Sequence, residues 1–228
     1  MSIRMNKQWS YNLCVIVVMI ICNMVSCKQK TVNQQQLEAY IAQTDHGLIY
    51  THDDKRVKAS VKYKPFDFLV DQQLQAITSF SGNTIDSLRG IYAKNLYFVL
   101  HLTSRDQEVL SGFSGDAHTF SEMVEKLSFD MGNYVSLTTE KGDTLQMVDF
   151  VYPRMYGMSG STDIMFAFEN KIPSDTHELS FNLSEFGLNI GKMKFTFTVK
   201  DIISVPKLTF TKNNDNKQKQ HHNTANPQ

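Results

Sequence analysis

The chain is predicted to be mainly β, a β-sandwich with two or three short helices inserted, with a mixed α+β fold as the fallback. Three observations carry this. Short apolar segments recur along most of the chain, several with strict period-two alternation. Turn signals separate them. Phenylalanine (15 residues) and tyrosine (9) are plentiful, a bias toward sheet over helical bundle.

The elements follow in order. Leu37, Tyr40 and Ile41 share one helical face, which predicts a short amphipathic helix over Gln34 to Ala42. Gly47 to Thr51 reads as a strand. Val57, Ala59, Val61 and Tyr63 alternate with Lys58, Ser60, Lys62 and Lys64, a strand with one wet face. Pro65 suits a first helical position, and Phe66, Leu69, Val70, Leu74 and Ile77 follow at helical spacing until Gly82-Asn83 ends the segment. Asn95 to Thr103 is a buried strand.

Thr119 to Phe129 is a helix whose Thr119 and Glu122 match a capping box, with Phe120, Met123, Val124 and Leu127 as its apolar stripe. Tyr134 to Thr139 and Thr144 to Tyr152 flank the turn Glu140-Lys141-Gly142-Asp143, a predicted hairpin. Strands over Asp163 to Glu169, Glu178 to Leu183 and Lys194 to about Ile203 complete the body. A last edge strand, Lys207 to Phe210, follows Pro206.

Both ends differ from this body. Arg4 and Lys7 precede the apolar run Leu13 to Ile21, and Met24-Val25-Ser26-Cys27 follows. A basic segment, a short apolar core and a small residue before the cut describe a secretory signal peptide over residues 1–26. The apolar run is far shorter than the roughly 20 residues a spanning helix needs. Met24-Val25-Ser26-Cys27 also resembles the bacterial lipobox, which implies that Cys27 becomes a lipidated first residue. Acyl chains on Cys27 then hold the protein to a membrane, each buried methylene adding about 0.8 kcal/mol. Cleavage there removes Cys14 and Cys22, leaving a mature chain without disulfides or free thiols, so its stability must come from an ordinary core.

Lys28 to Gln36 reads as a polar tether, so residues 27–44 comprise the lipidated cysteine, the tether and the short helix. Residues 45–210 form the sandwich. Residues 211–228, rich in Asn, Gln, Lys and His, form a predicted disordered tail, too polar to offset the entropy of ordering. With 23 basic and 23 acidic residues the chain is formally neutral, which gives no electrostatic footprint for nucleic acid.

Taken together, the lipobox, tether and compact body resemble a Bacteroidota-type lipoprotein with an immunoglobulin-like β-sandwich. The resemblance implies a location in the cell envelope. Lys28-Gln29-Lys30 stands where surface-exported members carry acidic residues, and no Asp follows Cys27. These features imply an outer-membrane anchor facing the periplasm rather than the cell surface. In plan the chain is also similar to the outer-membrane lipoprotein of type VI secretion assemblies, an analogy of architecture that does not fix function.

No catalytic signature emerges. Gly112-Phe113-Ser114-Gly115 and Gly157-Met158-Ser159-Gly160 each place the second glycine one position early for a nucleophile elbow. Ser204 and Lys207 have S-x-x-K spacing, but Pro206 sits where a helical turn should bring them together. His46 and His52 lie about 20 Å apart along a strand, too far to share a metal ion. His101 reads as a hydrogen-bonded core or edge histidine, and His118 as an aid to helix capping. His221-His222 lacks a third ligand. No metal and no cofactor are therefore expected.

The strongest candidate is the loop from Tyr152 to Asp163, which joins two strands and concentrates Tyr152, Arg154, Met155, Tyr156 and Met158. Tyr, Arg and Met are enriched in interface cores. The competing reading plugs the end of the core with Tyr156 and pairs Arg154 with Asp163 or Asp149. The chain is accordingly expected to be a non-enzymatic envelope lipoprotein that docks on another envelope protein, as a subunit of a trans-envelope or secretion complex. A glycan- or peptidoglycan-binding role through Tyr152 and Tyr156 is the alternative. A hydrolase is the third reading, and it requires a Ser or Asp brought against a histidine inside a cleft.

Overall fold

A computed structural model of the protein describes residues 30–53, 56–104, 106–155 and 158–210. The expected signal peptide over residues 1–26, Cys27, Tyr156 and the expected disordered tail 211–228 lie outside the described residues. No helix among the described residues is long and apolar enough to cross a membrane.

The chain is mainly β, with two antiparallel sheets packed face to face. The strands are β1 (Thr31–Val32), β2 (Ile49–Asp53), β3 (Lys58–Lys64), β4 (Asn95–Thr103), β5 (Val135–Thr139), β6 (Thr144–Leu145), β7 (Met147–Val151), β8 (Thr162–Glu169), β9 (Glu178–Leu183), β10 (Met193–Thr198) and β11 (Lys207–Leu208). One sheet has the order β2-β3-β4-β8-β7 and the other β10-β9-β5-β6. The helices are α1 (Gln34–Ala42), α2 (Asp67–Gln75), α3 (Gly82–Tyr92), α4 (Ala117–Glu125) and α5 (Val199–Ile203).

The inward positions follow the sequence alternation. Ala59, Val61 and Tyr63 of β3 and Leu96, Phe98, Leu100 and Leu102 of β4 are all buried, as are Ile164, Phe166 and Phe168 of β8. Across the core stand Leu179, Phe181 and Leu183 of β9 and Phe195 and Phe197 of β10. Phe98 lies 5.9 Å from Phe181 and 5.0 Å from Phe197, ring centre to ring centre. Phe166 meets Phe181 edge-on at 5.6 Å. Such offset and edge-on aromatic pairs add to area burial.

Helix α1 is capped at Asn33 by a reciprocal box with Gln36, and buries Leu37 and Ile41 in the same core. The predicted tether is thus ordered from Thr31, where β1 pairs in parallel with β11. This pairing places the last strand beside β1 in a separate two-stranded sheet, not on an edge of the sandwich.

Four further expectations differ from the structure. Gly82-Asn83 does not end the helical region: Ser81 caps α3, its hydroxyl accepting from the Thr84 amide. Helix α4 starts at Ala117 rather than Thr119, because the Asp116 carboxylate accepts from the amides of His118 (2.8 Å) and Thr119 (3.3 Å). The strand expected over Thr144 to Tyr152 is two strands. Leu145 pairs with Leu137 in one sheet, whereas Met147 pairs with Phe168 in the other, so the chain changes sheets at Gln146. Finally, β10 stops at Thr198, and Val199–Ile203 turns into α5.

Helices α2 and α3 form a hairpin between β3 and β4. Its outer tie is the buried Asp67, whose two carboxylate oxygens accept from Arg89 Nε (2.8 Å) and Nη2 (2.9 Å). Asp67 also accepts from the Leu208 amide at 2.7 Å, while Arg89 donates to the Leu208 carbonyl at 2.8 Å. The guanidinium lies over the Phe210 ring at 4.9 Å. One ion pair therefore joins α2, α3 and β11.

Candidate recognition surface

Residues 152–161 connect β7, an edge strand, to β8, so that Thr162 and Asp163 of the expected loop belong to the strand. The base of the loop is anchored: Tyr152 packs half-buried against the core, and the Thr162 hydroxyl accepts from the Val109 amide at 3.2 Å. Between these anchors the chain is exposed at Pro153, Arg154 and Met155, and Met158 donates its amide to the Met155 carbonyl at 3.0 Å. Met158 is 78% exposed and Met155 39% exposed. Large apolar side chains this open need a reason, since solitary ones are normal but grouped ones mark contact surfaces.

Arg154 does not pair with Asp163 or Asp149. Its guanidinium lies 5.7 Å from the centre of the Phe129 ring, a cation–π contact. Phe129 is itself 69% exposed, in the wide π turn (Lys126–Asp130) that follows α4. Sequence patterning placed Phe129 at the end of a helix, with no sign that it meets Arg154. The signal that could have found it is its position: Phe120, Met123, Val124 and Leu127 already complete the apolar stripe, and Phe129 falls off it.

Asp163 is occupied elsewhere. It stands directly opposite His101 on the outward face of the β4–β8 pair, with its carboxylate 2.5 Å from His101 Nδ1. The hydrogen bond with His101 holds the Asp163 carboxyl below its ordinary range, against some desolvation, with Ser161 and Lys62 as smaller contributors. Both side chains are close to half exposed. The Ser161 hydroxyl reaches Asp163 at 3.4 Å, so the order is Ser–Asp–His. Activating a serine nucleophile needs the imidazole between the other two groups. The pair serves as a cross-strand link on an open sheet face.

The serines of the near-miss motifs are tied to backbone, and the Ser159 hydroxyl accepts from the Ser161 amide at 3.2 Å. Ser114 donates to the Ser111 carbonyl at 2.9 Å and Ser204 to the Lys200 carbonyl at 2.6 Å. His46 stacks on Tyr40 at 3.6 Å, and its Nδ1 sits 2.7 Å from the Tyr40 carbonyl. His118 lies 3.5 Å from Glu122 along α4. Among the described residues, no three His, Cys, Asp or Glu side chains gather as a metal site.

The sequence matches no family model and no curated protein. In structure it is similar to a DUF4426 family protein from Pseudomonas aeruginosa, at 8% identity and a TM-score of 0.34, over 66% of this chain and 92% of that one. Likeness at that level carries no functional argument.

Proposed function

We propose that the protein is a lipid-anchored, non-enzymatic subunit of the cell envelope, facing the periplasm from the outer membrane, that docks on another envelope protein through the 152–163 loop. The anchor reading is supported by Met24-Val25-Ser26-Cys27 behind a short apolar run. The docking reading rests on one observation: Phe129 stands open under Arg154, whose loop also exposes Met155 and Met158. An open aromatic ring on the turn after α4, with an arginine and two methionines on the loop, matches the residue types enriched in interface cores. Covering them would remove apolar surface from water at roughly 25 cal/mol per Å².

The test is photocrosslinking in cells of the source organism, from a benzoylphenylalanine placed at Met158, with and without Phe129→Ala and Arg154→Ala. The expected result is one discrete envelope-protein adduct that both substitutions abolish while the domain stays folded. An adduct unaffected by either substitution, or none at all, defeats the docking role. Separately, Cys27→Ser is expected to move the protein from the membrane to the soluble fraction.

A further inference from the structure

A groove of about 500 Å³ opens between α1 and α2, above the outward face of β3. That volume lies in the range of small-molecule sites. Its charges are sorted by element. Lys62 and Lys64, two residues apart on β3, present both ammonium groups from the same face of the sheet, the floor of the groove. Glu38 of α1 and Asp71 of α2 line its two helical flanks. The floor around the lysines is apolar, since Ile49 and Val99 flank Lys62 on the neighbouring strands.

The opposite charges do not neutralise one another. Among the described residues neither lysine makes a close ion pair, and the acid that Lys62 influences is Asp163, outside the groove. Glu38 and Asp71 accept instead from amides on their own helices, Gln34 at 3.0 Å and Gln75 at 2.6 Å. Lys64 is half-buried, and desolvation, reinforced by the neighbouring Lys62, pushes its ammonium below its ordinary pKa. A partly buried cation without a counter-ion is costly to the fold unless something else supplies the charge.

We propose that this groove binds a small zwitterion, an α-amino acid or dipeptide with an apolar side chain. Its carboxylate would sit on Lys62 and Lys64, its ammonium would face Glu38 and Asp71, and its side chain would cover Ile49 and Val99. A purely apolar ligand would strip water from four charges without replacing it. A simple anion would satisfy the lysines but meet a carboxylate on each flank. A ligand carrying both signs answers both the floor and the flanks. The site shares no residue with the 152–163 loop, so it stands or falls apart from the docking role.

The test is calorimetric titration of the full-length protein with leucyl-leucine, alongside its N-acetylated and C-amidated forms. Saturable binding of the free dipeptide is expected at millimolar concentration or below, weakened by roughly tenfold or more when either end is blocked, a loss of about 1.4 kcal/mol. Lys64→Met keeps the aliphatic stem and is expected to weaken binding by a similar factor, as is Asp71→Asn, with no change in circular dichroism. Absence of binding at about 10 mM, where even a dissociation constant of 1 mM would saturate the site, overturns the proposal. So does equal binding of the acetylated form, which would leave an anion site, or binding that ignores both substitutions.

Discussion

At the scale of single residues, the strongest commitment in this fold is Asp67. A nearly fully buried carboxylate is tolerated because Arg89 and the Leu208 amide satisfy both oxygens. Removing one partner leaves the other as an unpaired buried charge, which costs about 3–5 kcal/mol. Arg89→Met is therefore expected to lower the urea midpoint sharply, and Asp67→Asn in the same chain to recover part of the loss. A single Arg89→Met variant as stable as wild type would show that the pair is not what holds the α2–α3 hairpin to β11.

Glu185 is an exposed carboxylate held as firmly by backbone. It accepts from the amides of Gly187, Asn189, Ile190 and Gly191 at 2.6–2.9 Å. Desolvation works to raise its pKa, but these four bonds together hold the carboxyl below the ordinary glutamate range. The hydrogen bond and charge of His101 depress Asp163 in the same sense. A carboxylate with a depressed pKa in the native state adds stability above its unfolded pKa, about 4, and loses it as pH falls through the lower native value. The urea midpoint should therefore drop between pH 5 and pH 3, with Glu185 and Asp163 among the carboxylates responsible. Glu185→Gln should be less stable at pH 7 and show a smaller drop on acidification. An unchanged drop would assign the acid sensitivity to other groups.

At the scale of elements, caps decide where helices begin. Asp116 satisfies two free amides of α4, while the Thr119 hydroxyl, one turn in, only donates back to the Asp116 carbonyl. Asp116→Ala should cost about 1 kcal/mol in thermal or urea unfolding, and Thr119→Ala clearly less. The reverse order would restore the cap to Thr119. The sequence pattern favoured Thr119 because Thr119 and Glu122 fit the capping-box spacing, and Asp116 lacks the matching N3 residue. The same logic hid α3. Ser81 and Thr84 form a reciprocal cap, but Gly82-Asn83 carries the stronger local turn signal and α3 buries no residue fully. Helix α3 is held by Arg89 and by Tyr92 packed near Leu69 and Tyr97, contacts that no local pattern contains.

At the scale of the whole molecule, Phe98 is the hub. Its ring touches Tyr63 and Phe168 in its own sheet and Phe181 and Phe197 in the facing one. Phe98→Ala should cost about 3–5 kcal/mol by combining lost transfer energy with a cavity between the sheets. Phe129→Ala, on the open surface, should change stability by no more than about 0.5 kcal/mol. A large loss at Phe129 would mean that its ring supports the fold, and would remove it as a recognition residue.

Local sequence patterning tells which faces are wet and which are buried. Period-two alternation in Val57 to Lys64 and the apolar run Asn95 to Thr103 specify strands whatever their partners, and the amphipathic stripe at Leu37 and Ile41 specifies a helix in the same way. It also marked the 152–163 segment as a loop rich in contact-forming residues. Long-range packing settles which strands share a sheet, that the chain changes sheets at Gln146, that Arg154 lies over Phe129 rather than beside Asp163, and that Lys62, Lys64, Glu38 and Asp71 line one groove. The physical reason is range. Burial patterns and caps are set by residues within one turn or one strand. Ring contacts, ion pairs and grooves join residues tens to more than a hundred positions apart, and the packing of the two sheets alone brings those together.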